Sequence, residues 1–453
     1  MDWSDFSGKS VALLGAGTEN ISLISHLKKA GATVTVCDRS DELEELDSDI
    51  RLVTGEHYLS DIAGYDFLFR SPGLPTAVVE QALINAQSRP ELTSAVDLIF
   101  SMKGQQVIAV TGTKGKGTTS SMITQILKAA GKPVILAGNI GNSIFDSWDR
   151  LTPETLIVME VSSFQLEDVA HSPHIAVVLP ITADHLQPLS ERSPNFHQDL
   201  PSYIVAKQQI TAYQGPDDTV VFSLDSQASA QIGQSAAAKK ISVSAKTKAD
   251  VFVEGGVLRI SQTEIDLAKE TKLRGDHLFH NAAVACAVAD ILKISVENML
   301  EGLSSFRPLP HRMEEVGVFG GVKYVDDSYA TAPDATIAAL SAYTDQPTIL
   351  ILGGSSKGAD FSELAQRIES SSVKTVVLVG QEAVNIEQSL KKFAPKISRL
   401  TGFSVFKDAV ETALRQANSG DVVLLSPACA SKDMFKNAAE RGEKFTKLIH
   451  ELS

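Results

Sequence analysis

The chain has 453 residues, too many for one typical domain, so two or three domains are expected. Apolar residues make up 43% of it and charged residues 21%, which is typical of a soluble globular protein with several cores. The net charge of −14 argues against general binding to nucleic acids or to anionic membranes, because both require a basic surface. We therefore expect neither as a partner, and local sites must hold any anionic substrate.

Targeting and redox signals are not evident in the sequence. The first ten residues lack the cationic start and apolar core of a signal peptide, and no run of 18 apolar residues predicts a transmembrane helix. Cys37, Cys286 and Cys429 match neither a metal-site nor a CxxC spacing, so we interpret them as reduced thiols. A cytoplasmic protein is expected.

The first elements predict a βαβ unit of the nucleotide-binding type. Residues 10–14 and 32–37 are predicted strands, and residues 21–29 are a predicted helix between them. A dinucleotide fingerprint requires a third glycine where Asn20 stands, so the fingerprint is incomplete and a nicotinamide enzyme is not favoured. Asp38 follows the second strand, at a position where an acidic residue commonly holds a ribose.

A strand, a glycine-rich loop and a helix follow one another from residue 107. Residues 107–110 predict a buried strand, the loop carries three glycines, and residues 120–127 predict a helix. Glycines let backbone N–H groups turn towards an anion, and a helix N-terminus adds positive potential. A phosphate-binding site is therefore favoured over a turn that binds nothing.

This loop differs from the common nucleoside-triphosphate P-loop. The common form has four residues before its Gly-Lys pair and a Ser or Thr directly after the lysine. Here only two residues separate Gly112 from Gly115, and Gly117 intervenes between Lys116 and Thr118. Lys116 is still placed to contact the β- and γ-phosphates.

Polar residues follow the next predicted strands, residues 156–159 and 175–179. Because ligands of open parallel sheets bind outside the carboxyl ends of the strands, these residues should converge on one crevice. Mg²⁺ prefers hard oxygen ligands, which makes Thr118 and Glu160 the natural candidates. For His185, a metal ligand and an ordinary hydrogen-bonded histidine are equally favoured. The spacing around Lys207 predicts a solvated lysine on a helix face.

The remaining chain continues the α/β pattern. Residues 227–240 predict a helix or an excursion, Gly255 and Gly256 predict a hairpin, and Pro308 and Pro310 mark a linker. Further predicted elements are the strands 66–69, 220–224, 322–325, 348–352, 376–379 and 422–425, and the helix 280–292. The expected fold is α/β with three domains: an N-terminal Rossmann-like domain (1–98), a central P-loop ATPase-like domain with a parallel or mixed sheet (99–308), and a C-terminal Rossmann-like domain (309–453).

Nine segments of the sequence carry a family resemblance, and it spans nearly the whole chain. They are GTKGKGTT, MEVSSFQLE, TADH, AKQQI, HNAA, LPHRME, DDS, ILGGSSKGADF and LLSPACASKDMFKNAAERG, in this order. Together they resemble the Mur ligase family, most closely the members that add glutamate. The resemblance implies ATP-dependent amide-bond synthesis on peptidoglycan precursors. The expected substrates are UDP-N-acetylmuramoyl-L-alanine, D-glutamate and ATP, and the N-terminal domain would hold the UDP. The protein is expected to be a monomer.

The resemblance also implies roles for individual residues. ATP contacts are implied at Gly112, Thr113, Lys114, Gly115, Lys116, Gly117, Thr118, Thr119, Asn281, Arg312 and Asp327. Substrate contacts are implied at Gly15, Thr18, Asp38, Arg39, Ser71, Gly73, Asn139, Ser162, Lys357 and Ser431. Two Mg²⁺ ions are implied, with the ligands Thr118, Glu160, His185 and Lys207, and Lys116, His185 and Lys207 are implied as catalytic. Lys207 would be carbamylated, because an amine with a pKa near 10.4 is a cation and repels Mg²⁺.

Three departures from the family pattern leave alternatives open. Tyr329 replaces a substrate-side lysine and Ala438 replaces an aromatic residue, so another amino acid such as L-glutamate is an alternative acceptor. Gly117 within the phosphate loop is typical of folylpolyglutamate synthases, so a ligase of that kind is a second alternative. A regulator without turnover is a third, although Lys116 and its predicted companions are intact.

Overall fold

The computed structural model describes residues 1–41, 50–138, 143–186, 195–307, 310–356 and 359–452. The chain divides into two compact units, Met1–Phe306 and Arg307–Ser453. The first unit holds two β-sheets and the second holds one, and helices pack against each sheet. The predicted α/β class is therefore confirmed. Among the described residues, no helix combines the length and the apolar character that are needed to cross a membrane.

The first sheet is parallel and has the strand order β3-β2-β1-β4-β5. Its central strand, SVALL, forms a core with the apolar face of the following helix, where Leu23 and Leu27 are fully buried. The elements of this region are β1 (Ser10–Leu14), α1 (Thr18–Lys29), β2 (Thr33–Asp38), β3 (Arg51–Thr54), β4 (Phe67–Arg70), α2 (Thr76–Ala82), β5 (Glu91–Thr93) and α3 (Ala95–Lys103), with 3₁₀ turns at Trp3–Phe6, Ile62–Gly64 and Gly104–Gln106.

The second sheet has nine strands in the order β14-β13-β12-β11-β10-β9-β6-β8-β7. It is parallel except at one edge, where β12, β13 and β14 pair antiparallel. The elements are β6 (Val107–Thr111), α4 (Lys116–Ala129), β7 (Val134–Gly138), β8 (Leu156–Glu160), α5 (Ser163–Leu166), β9 (Ile175–Val178), α6 (Leu200–Gln208), β10 (Thr219–Ser223), α7 (Gln227–Ser235), β11 (Lys239–Ser244), β12 (Val251–Glu254), β13 (Val257–Ile260), β14 (Thr263–Asp266), α8 (Leu267–Glu270), α9 (Asp276–Ile291) and α10 (Val296–Ser305), with 3₁₀ turns at Ile144–Arg150 and Gln209–Thr211.

The second unit contains a six-stranded sheet in the order β15-β16-β20-β17-β18-β19. Only the edge pair β15 and β16 is antiparallel. The elements are β15 (Glu314–Phe319), β16 (Val322–Asp326), α11 (Pro333–Leu340), β17 (Thr348–Leu352), α12 (Ser362–Glu369), β18 (Val373–Val379), α13 (Ala383–Phe393), β19 (Ser398–Phe403), α14 (Phe406–Gln416), β20 (Val422–Leu425) and α15 (Ala438–Leu452).

The central strands were the most predictable elements, because each is a continuous apolar run. β1, β17 and β20 coincide with their predicted ranges, and the predicted hairpin is β12 and β13. The sequence did not predict β3, β5, β15 and β19, which are edge strands with exposed positions and no apolar run. The helix after the phosphate loop begins at Lys116, four residues before the prediction, because Gly115 adopts the left-handed conformation that starts it.

Candidate active site

Two glycines with positive φ shape the loop between β6 and α4. Gly112 has φ of 146°, and a Cβ there would lie 2.6 Å from Leu179 Cβ. Gly115 has φ of 84°, and a Cβ there would lie 2.7 Å from Asn281 Oδ1. Neither position therefore tolerates a side chain without displacement of its neighbour. Asn281, the predicted nucleotide contact on α9, is thus brought against the phosphate loop.

The N-terminus of α4 has the properties of an anion site. Its N-cap is Gly115, no side chain caps it, and its first turn contains no acidic residue. The helix has 14 residues, so its dipole and its first N–H groups present positive potential to the loop. Thr113 is buried in the loop and its hydroxyl lies 3.2 Å from the Tyr203 hydroxyl.

Two lysines meet at one carbonyl oxygen of the phosphate loop. Lys116 Nζ donates to Gly112 O at 3.0 Å and to Thr113 O at 2.9 Å. Lys207 Nζ donates to the same Gly112 O at 2.9 Å and lies 4.5 Å from the centre of the Tyr203 ring. The convergence of two ammonium groups makes each an unfavourable neighbour for the other in its charged form.

The prediction from spacing that Lys207 is solvated is wrong. Only 1% of the residue is exposed, because α6 packs this face against the phosphate loop. Burial, and then the nearby Lys116 charge, hold the pKa of Lys207 well below its usual range, against the opposing influence of Asp184 and Glu160. The residue is therefore a buried amine within electrostatic reach of the loop lysine and two carboxylates.

The donor set around the loop fits Mg²⁺ in part. Glu160 ends β8 beside β6, where it pairs with Val110, and is 3% exposed. Thr118 lies in the first turn of α4 and is half-buried. A carboxylate and a hydroxyl next to a phosphate loop are suitable ligands for a hard cation. Lys207 as an unmodified amine is not suitable, since its charged form repels the ion.

His185 follows β9 in a strained backbone conformation. Its φ is 56°, in the left-handed region, and its ring lies edge-on to Phe164 with the centroids 5.2 Å apart. The carbonyl of His185 accepts a hydrogen bond from the N–H of His197 at 2.9 Å. About a third of the side chain is exposed. This conformation and the packed neighbours orient the imidazole without burying it.

A cavity of about 300 Å³ collects several predicted substrate contacts. Thr18, Ser71 and Ser162 all line it, together with Arg70 and Gln165, which the sequence did not predict. These residues come from the region of the first sheet and from the segment after β8 of the second sheet. The cavity therefore lies between the two sheet regions of the first unit. A charged residue at the end of the apolar strand FLFR was the available signal for Arg70.

The other predicted substrate contacts of the first sheet lie on the loops that follow β1, β2 and β4. A Cβ on Gly15, whose φ is 94°, would lie 2.7 Å from Ser71 Cβ, which explains the glycine. The Asp38 carboxylate accepts hydrogen bonds from the N–H groups of Ala16 at 2.7 Å and Ser40 at 2.8 Å. It therefore holds the turn after β1 in place. Arg39 follows Asp38 directly and is exposed. Gly73 lies in the turn after β4 and is also exposed.

Asn20 occupies the position of the missing fingerprint glycine. Its side-chain amide donates to Gly15 O at 2.9 Å and to Phe69 O at 3.2 Å, and the residue is 2% exposed. The amide thus bridges the carboxyl ends of β1 and β4. A glycine would leave these carbonyl groups without that donor, which explains why the dinucleotide pattern is broken here.

In the second unit, Asp327 lies in a buried polar cluster after β16. Ser426 Oγ donates to its carboxyl at 2.8 Å, and the N–H of Met313 donates at 3.2 Å. Burial raises the pKa of Asp327 to about 7, against the lowering effect of these two hydrogen bonds. Arg312 lies 4.9 Å above the ring of Tyr329, the residue that departs from the family pattern.

Ser431 lies in the loop after β20, to which Arg441, a residue that the sequence did not predict, also bonds. Ser431 is 3% exposed and its carbonyl accepts the N–H of Phe435 at 2.9 Å. Arg441 on α15 is 2% exposed and donates to Ser328 O at 2.7 Å and to Cys429 O at 3.1 Å. It ties the loop after β16 to the loop after β20. The predicted contacts Asn139 and Lys357 lie outside the described residues.

Family models match three consecutive parts of the chain. Residues 9–90 match the Mur ligase MurD-like N-terminal domain, residues 110–289 match the Mur ligase middle domain, and residues 311–429 match the Mur ligase glutamate ligase domain. The phosphate loop, Glu160, Lys207 and Asn281 fall in the second of these, and Asp327 falls in the third.

Full-length relatives and solved structures agree with these matches. Proteins named UDP-N-acetylmuramoylalanine--D-glutamate ligase are similar over almost the entire chain. That of Clostridioides difficile is 36% identical, covering 99% of this chain and 100% of its own, and that of Clostridium tetani is 34% identical, covering 100% and 99%. The MurF ligase of Thermotoga maritima in complex with ADP is similar in fold, with a TM-score of 0.60 at 17% identity, and covers 100% of this chain and 97% of its own. The UDP-N-acetylmuramate-alanine ligase MurC of the same organism has a TM-score of 0.61 at 17% identity and covers 98% and 100%. The chain therefore belongs to the Mur ligase family.

Proposed function

We propose that the protein is an ATP-dependent ligase that joins D-glutamate to UDP-N-acetylmuramoyl-L-alanine, with release of ADP and phosphate. The observation that carries the proposal is the full-length similarity to D-glutamate ligases, at 34–36% identity. The uncapped N-terminus of α4 and the lysines at Gly112 O supply a phosphate site within this framework. We assign residues 1–98 to UDP binding, 99–308 to ATP binding and 309–453 to amino-acid binding.

The chemistry explains why ATP is required. A carboxylate does not acylate an amine, because oxide is a poor leaving group. The substrate carboxylate first attacks the γ-phosphorus of ATP, and the bond to ADP breaks to give an acyl phosphate. The glutamate amine then attacks the acyl carbon, and the tetrahedral intermediate expels phosphate and loses a proton. Both steps build negative charge on oxygen, so positive groups at the phosphate loop stabilise both.

Lys116 and the loop amides carry the phosphate in this proposal. The Nζ group of Lys116 is bonded to two loop carbonyls, Gly112 O and Thr113 O, so it lies beside the N-terminus of α4. Rotation of the Lys116 side chain replaces these hydrogen bonds with bonds to phosphate oxygens. The ammonium charge of Lys116 then stays beside the phosphoryl group during its transfer. Asn281, packed at Gly115, fixes the loop on its other side.

Two Mg²⁺ ions are part of the proposal, held by Thr118 and Glu160 and by His185 and Lys207. When bound, Mg²⁺ neutralises charge on the transferring phosphoryl group. Glu160 presents its carboxyl at the end of β8, and the packed turn at residue 185 presents the imidazole.

Lys207 serves as a ligand only after carbamylation, which adds CO₂ to the neutral amine and releases a proton. Its depressed pKa increases the neutral fraction that this reaction needs. NMR with ¹³C-labelled bicarbonate tests the modification: we expect a carbamate signal in the wild-type protein and none in Lys207→Arg. A wild-type spectrum without the signal contradicts carbamylation.

The amino-acid site is assigned to the second unit, with Ser431 and Lys357 as the predicted carboxylate contacts. Tyr329 and Ala438 remove one cation and one aromatic group from the family pattern, so the acceptor is the part of the proposal that most needs a test. We expect phosphate release with D-glutamate to exceed release with L-glutamate and with a panel of other amino acids. A D-glutamate rate equal to the buffer rate contradicts the proposal.

A second candidate is a folylpolyglutamate synthase-like ligase. One observation favours it, the glycine between Lys116 and Thr118. The cavity next to Thr18 and Ser71 favours the first proposal, since it offers polar groups on loops of a nucleotide-binding sheet. Binding measurements with a reduced folate and with the UDP-sugar peptide separate the two: we expect binding of the second alone.

The proposed substrates also indicate where the protein acts. ATP and UDP-sugars are metabolites of the cytoplasm, so we propose a cytoplasmic enzyme. We further propose that it acts as a monomer, because the predicted contacts for all three substrates lie on one chain. Size-exclusion chromatography with light scattering checks this, and a mass near 48.5 kDa is expected.

A further inference from the structure

Arg70 is a buried arginine that no step of the proposed reaction uses. It ends β4, directly before Ser71, and is 1% exposed. Removal of a guanidinium from water is costly unless hydrogen bonds and opposite charges compensate. The contacts around Arg70 therefore indicate why a charge is kept at this place.

The guanidinium of Arg70 bonds to two segments at once. On the side of the first sheet, Nη1 donates to Leu74 O at 2.6 Å and closes the Ser-Pro-Gly turn. On the side of α5, Nη2 donates to Phe164 O at 2.6 Å, and Nε donates to Asp168 Oδ2 at 2.5 Å. Glu167 Oε2 lies 3.4 Å from Nη2. One side chain thus joins the turn after β4 to the helix after β8.

Further contacts hold the segment after β4: Thr76 bonds to the segment that follows α5, and Asn195, before α6, bonds to the Ser-Pro-Gly turn. Thr76 Oγ1 lies 2.8 Å from Glu167 Oε2 and 3.1 Å from an oxygen of Asp168. Asn195, which is 5% exposed, donates from Nδ2 to Pro72 O at 2.7 Å. The network therefore clamps the Ser-Pro-Gly turn from more than one direction.

The clamped segments both contribute residues to the lining of the cavity of about 300 Å³. Ser71 belongs to the Ser-Pro-Gly turn, and Ser162 caps the N-terminus of α5 by accepting the Gln165 N–H at 3.2 Å. Arg70 lies between these two elements and itself lines the cavity. We expect a change in its bonds to shift Ser71 relative to Ser162.

The α5 segment also supports the turn at His185. The His197 ring stacks on Phe164 with centroids 4.7 Å apart, and its Nε2 lies 2.9 Å from Ser163 Oγ. The N–H of His197 in turn bonds to the carbonyl of His185. The Arg70 guanidinium reaches the turn at His185 only indirectly, through Phe164 and then His197, whereas it lines the cavity itself. Loss of Arg70 should therefore affect the cavity first.

We propose that Arg70 is a positioning residue that holds Ser71 and Ser162 at a fixed separation and so determines the affinity for the nucleotide-linked substrate. This inference rests on the proposed function, because it takes the UDP-sugar peptide as the ligand of the cavity. A purely structural role would lower stability and impair all three substrates alike. A positioning role at this cavity impairs one of them selectively.

The test compares the Michaelis constants of Arg70→Met and Arg70→Lys for all three substrates, with melting curves to verify folding. We expect Arg70→Met to raise KM for UDP-N-acetylmuramoyl-L-alanine by about tenfold or more, and KM for ATP and D-glutamate by less than about twofold. Arg70→Lys should recover part of the loss, since an ammonium still donates to the two carbonyl groups. Asn195→Ala, which removes a separate bond to the Ser-Pro-Gly turn, should raise the same KM by a smaller factor.

Arg89→Met is the matched control, because Arg89 is exposed in the same region and pairs only with Glu80 at 3.0 Å among the contacts described. It should leave all three constants unchanged. Equal increases in the three constants, or an unchanged substrate KM in folded Arg70→Met, overturn the inference. If Arg70→Met does not fold, the same comparison applies to Arg70→Lys and Asn195→Ala.

The two proposals fail in distinguishable ways. A wild-type protein that releases no phosphate with the three substrates contradicts the proposed function, whatever the variants do. An active wild-type enzyme with non-selective Arg70 variants contradicts this inference alone.

Discussion

The phosphate loop of the first unit and the loops around Arg441 in the second unit are shaped by different means. At the phosphate loop, Gly112 and Gly115 have positive φ, and neighbouring atoms occupy the space of their absent side chains. At the second unit, the Arg441 guanidinium reaches across the fold to Ser328, 113 residues earlier in the chain. A glycine motif is local and readable in the sequence, whereas a buried side-chain clamp exists only after folding. The phosphate loop should therefore be sensitive to the addition of a single methyl group, and the second site to the loss of the hydrogen-bond donors of Arg441.

The largest effect is expected at the phosphate loop, from Lys116→Ala. Loss of the ammonium removes the charge that accompanies the transferring phosphoryl group, so turnover should fall by about a thousandfold or more. Binding of the UDP-substrate should survive, because its cavity lies elsewhere in the first unit. Phosphate release and calorimetric binding of the UDP-substrate check both parts. Unchanged phosphate release would remove Lys116 from the mechanism.

Arg441→Met tests the other side of the comparison. It removes the guanidinium donor from the carbonyl groups of Ser328 and Cys429, while Ala430 O keeps its bond from the Ser355 N–H, so the free energy of unfolding should fall by about 3 kcal/mol. Urea unfolding measures this change. Arg415→Met, at an exposed arginine of the same unit, is the control and should have little effect. Equal stability of the two variants would contradict the role of Arg441 as a clamp.

Asp327→Asn tests the pH dependence that Asp327 is expected to give to the stability of the second unit. In the folded protein the pKa of Asp327 is raised from 3.8 to about 7, so its stabilising contribution is complete below pH 4 and is lost as the pH rises to 7. The Asn side chain does not titrate. Relative to the variant, the wild-type free energy of unfolding should therefore decrease by about 2 kcal/mol from pH 5 to pH 8. Urea unfolding at both pH values measures it, and parallel pH profiles would refute the assignment.

Gly115→Ala tests the single-methyl sensitivity of the phosphate loop. A residue other than glycine at φ of 84° costs about 1–2 kcal/mol, and the added methyl contacts Asn281. We expect weaker ATP binding together with this loss of stability. Gly64→Ala is the control, because nothing lies within 4 Å of its Cβ position. ATP binding by calorimetry distinguishes them, and identical affinities would contradict the explanation of Gly115.

The smallest effect is expected from Tyr329→Leu. The Tyr329 ring lies under Arg312 at 4.9 Å, and an exposed cation–π contact contributes about 0.5–1 kcal/mol. Loss of this contact should raise KM for ATP by about two- to fivefold if Arg312 contacts the nucleotide as predicted. Tyr329→Phe keeps the ring face and should retain the wild-type value. An equal rise in KM for ATP in both variants would point to the hydroxyl instead.

The sequence predicted much of the fold, because its central strands are apolar runs that end in Gly, Asp or Ser. β1, β17 and β20 coincide with their predicted bounds. Edge strands such as β3 and β19 were not predicted, since they are partly exposed, contain no apolar run, and become strands only through pairing with a neighbour. The same holds for the site. Thr18, Ser71 and Ser162 were named from motifs, but their common cavity depends on the packing of two sheets.

What the sequence determined by itself is the phosphate loop, its helix and the family, because glycine positions and motif order are local properties of a chain. Lys207 shows the limit of inference from local sequence. Its spacing along α6 indicated a solvated lysine, and only the family resemblance indicated a metal site. Only the tertiary structure decided that this amine is buried against Gly112 O, with its pKa lowered by burial and by Lys116. Arg70 and Arg441 are the same kind of case. Burial and partner geometry depend on residues far away in the chain, and a local pattern does not contain them.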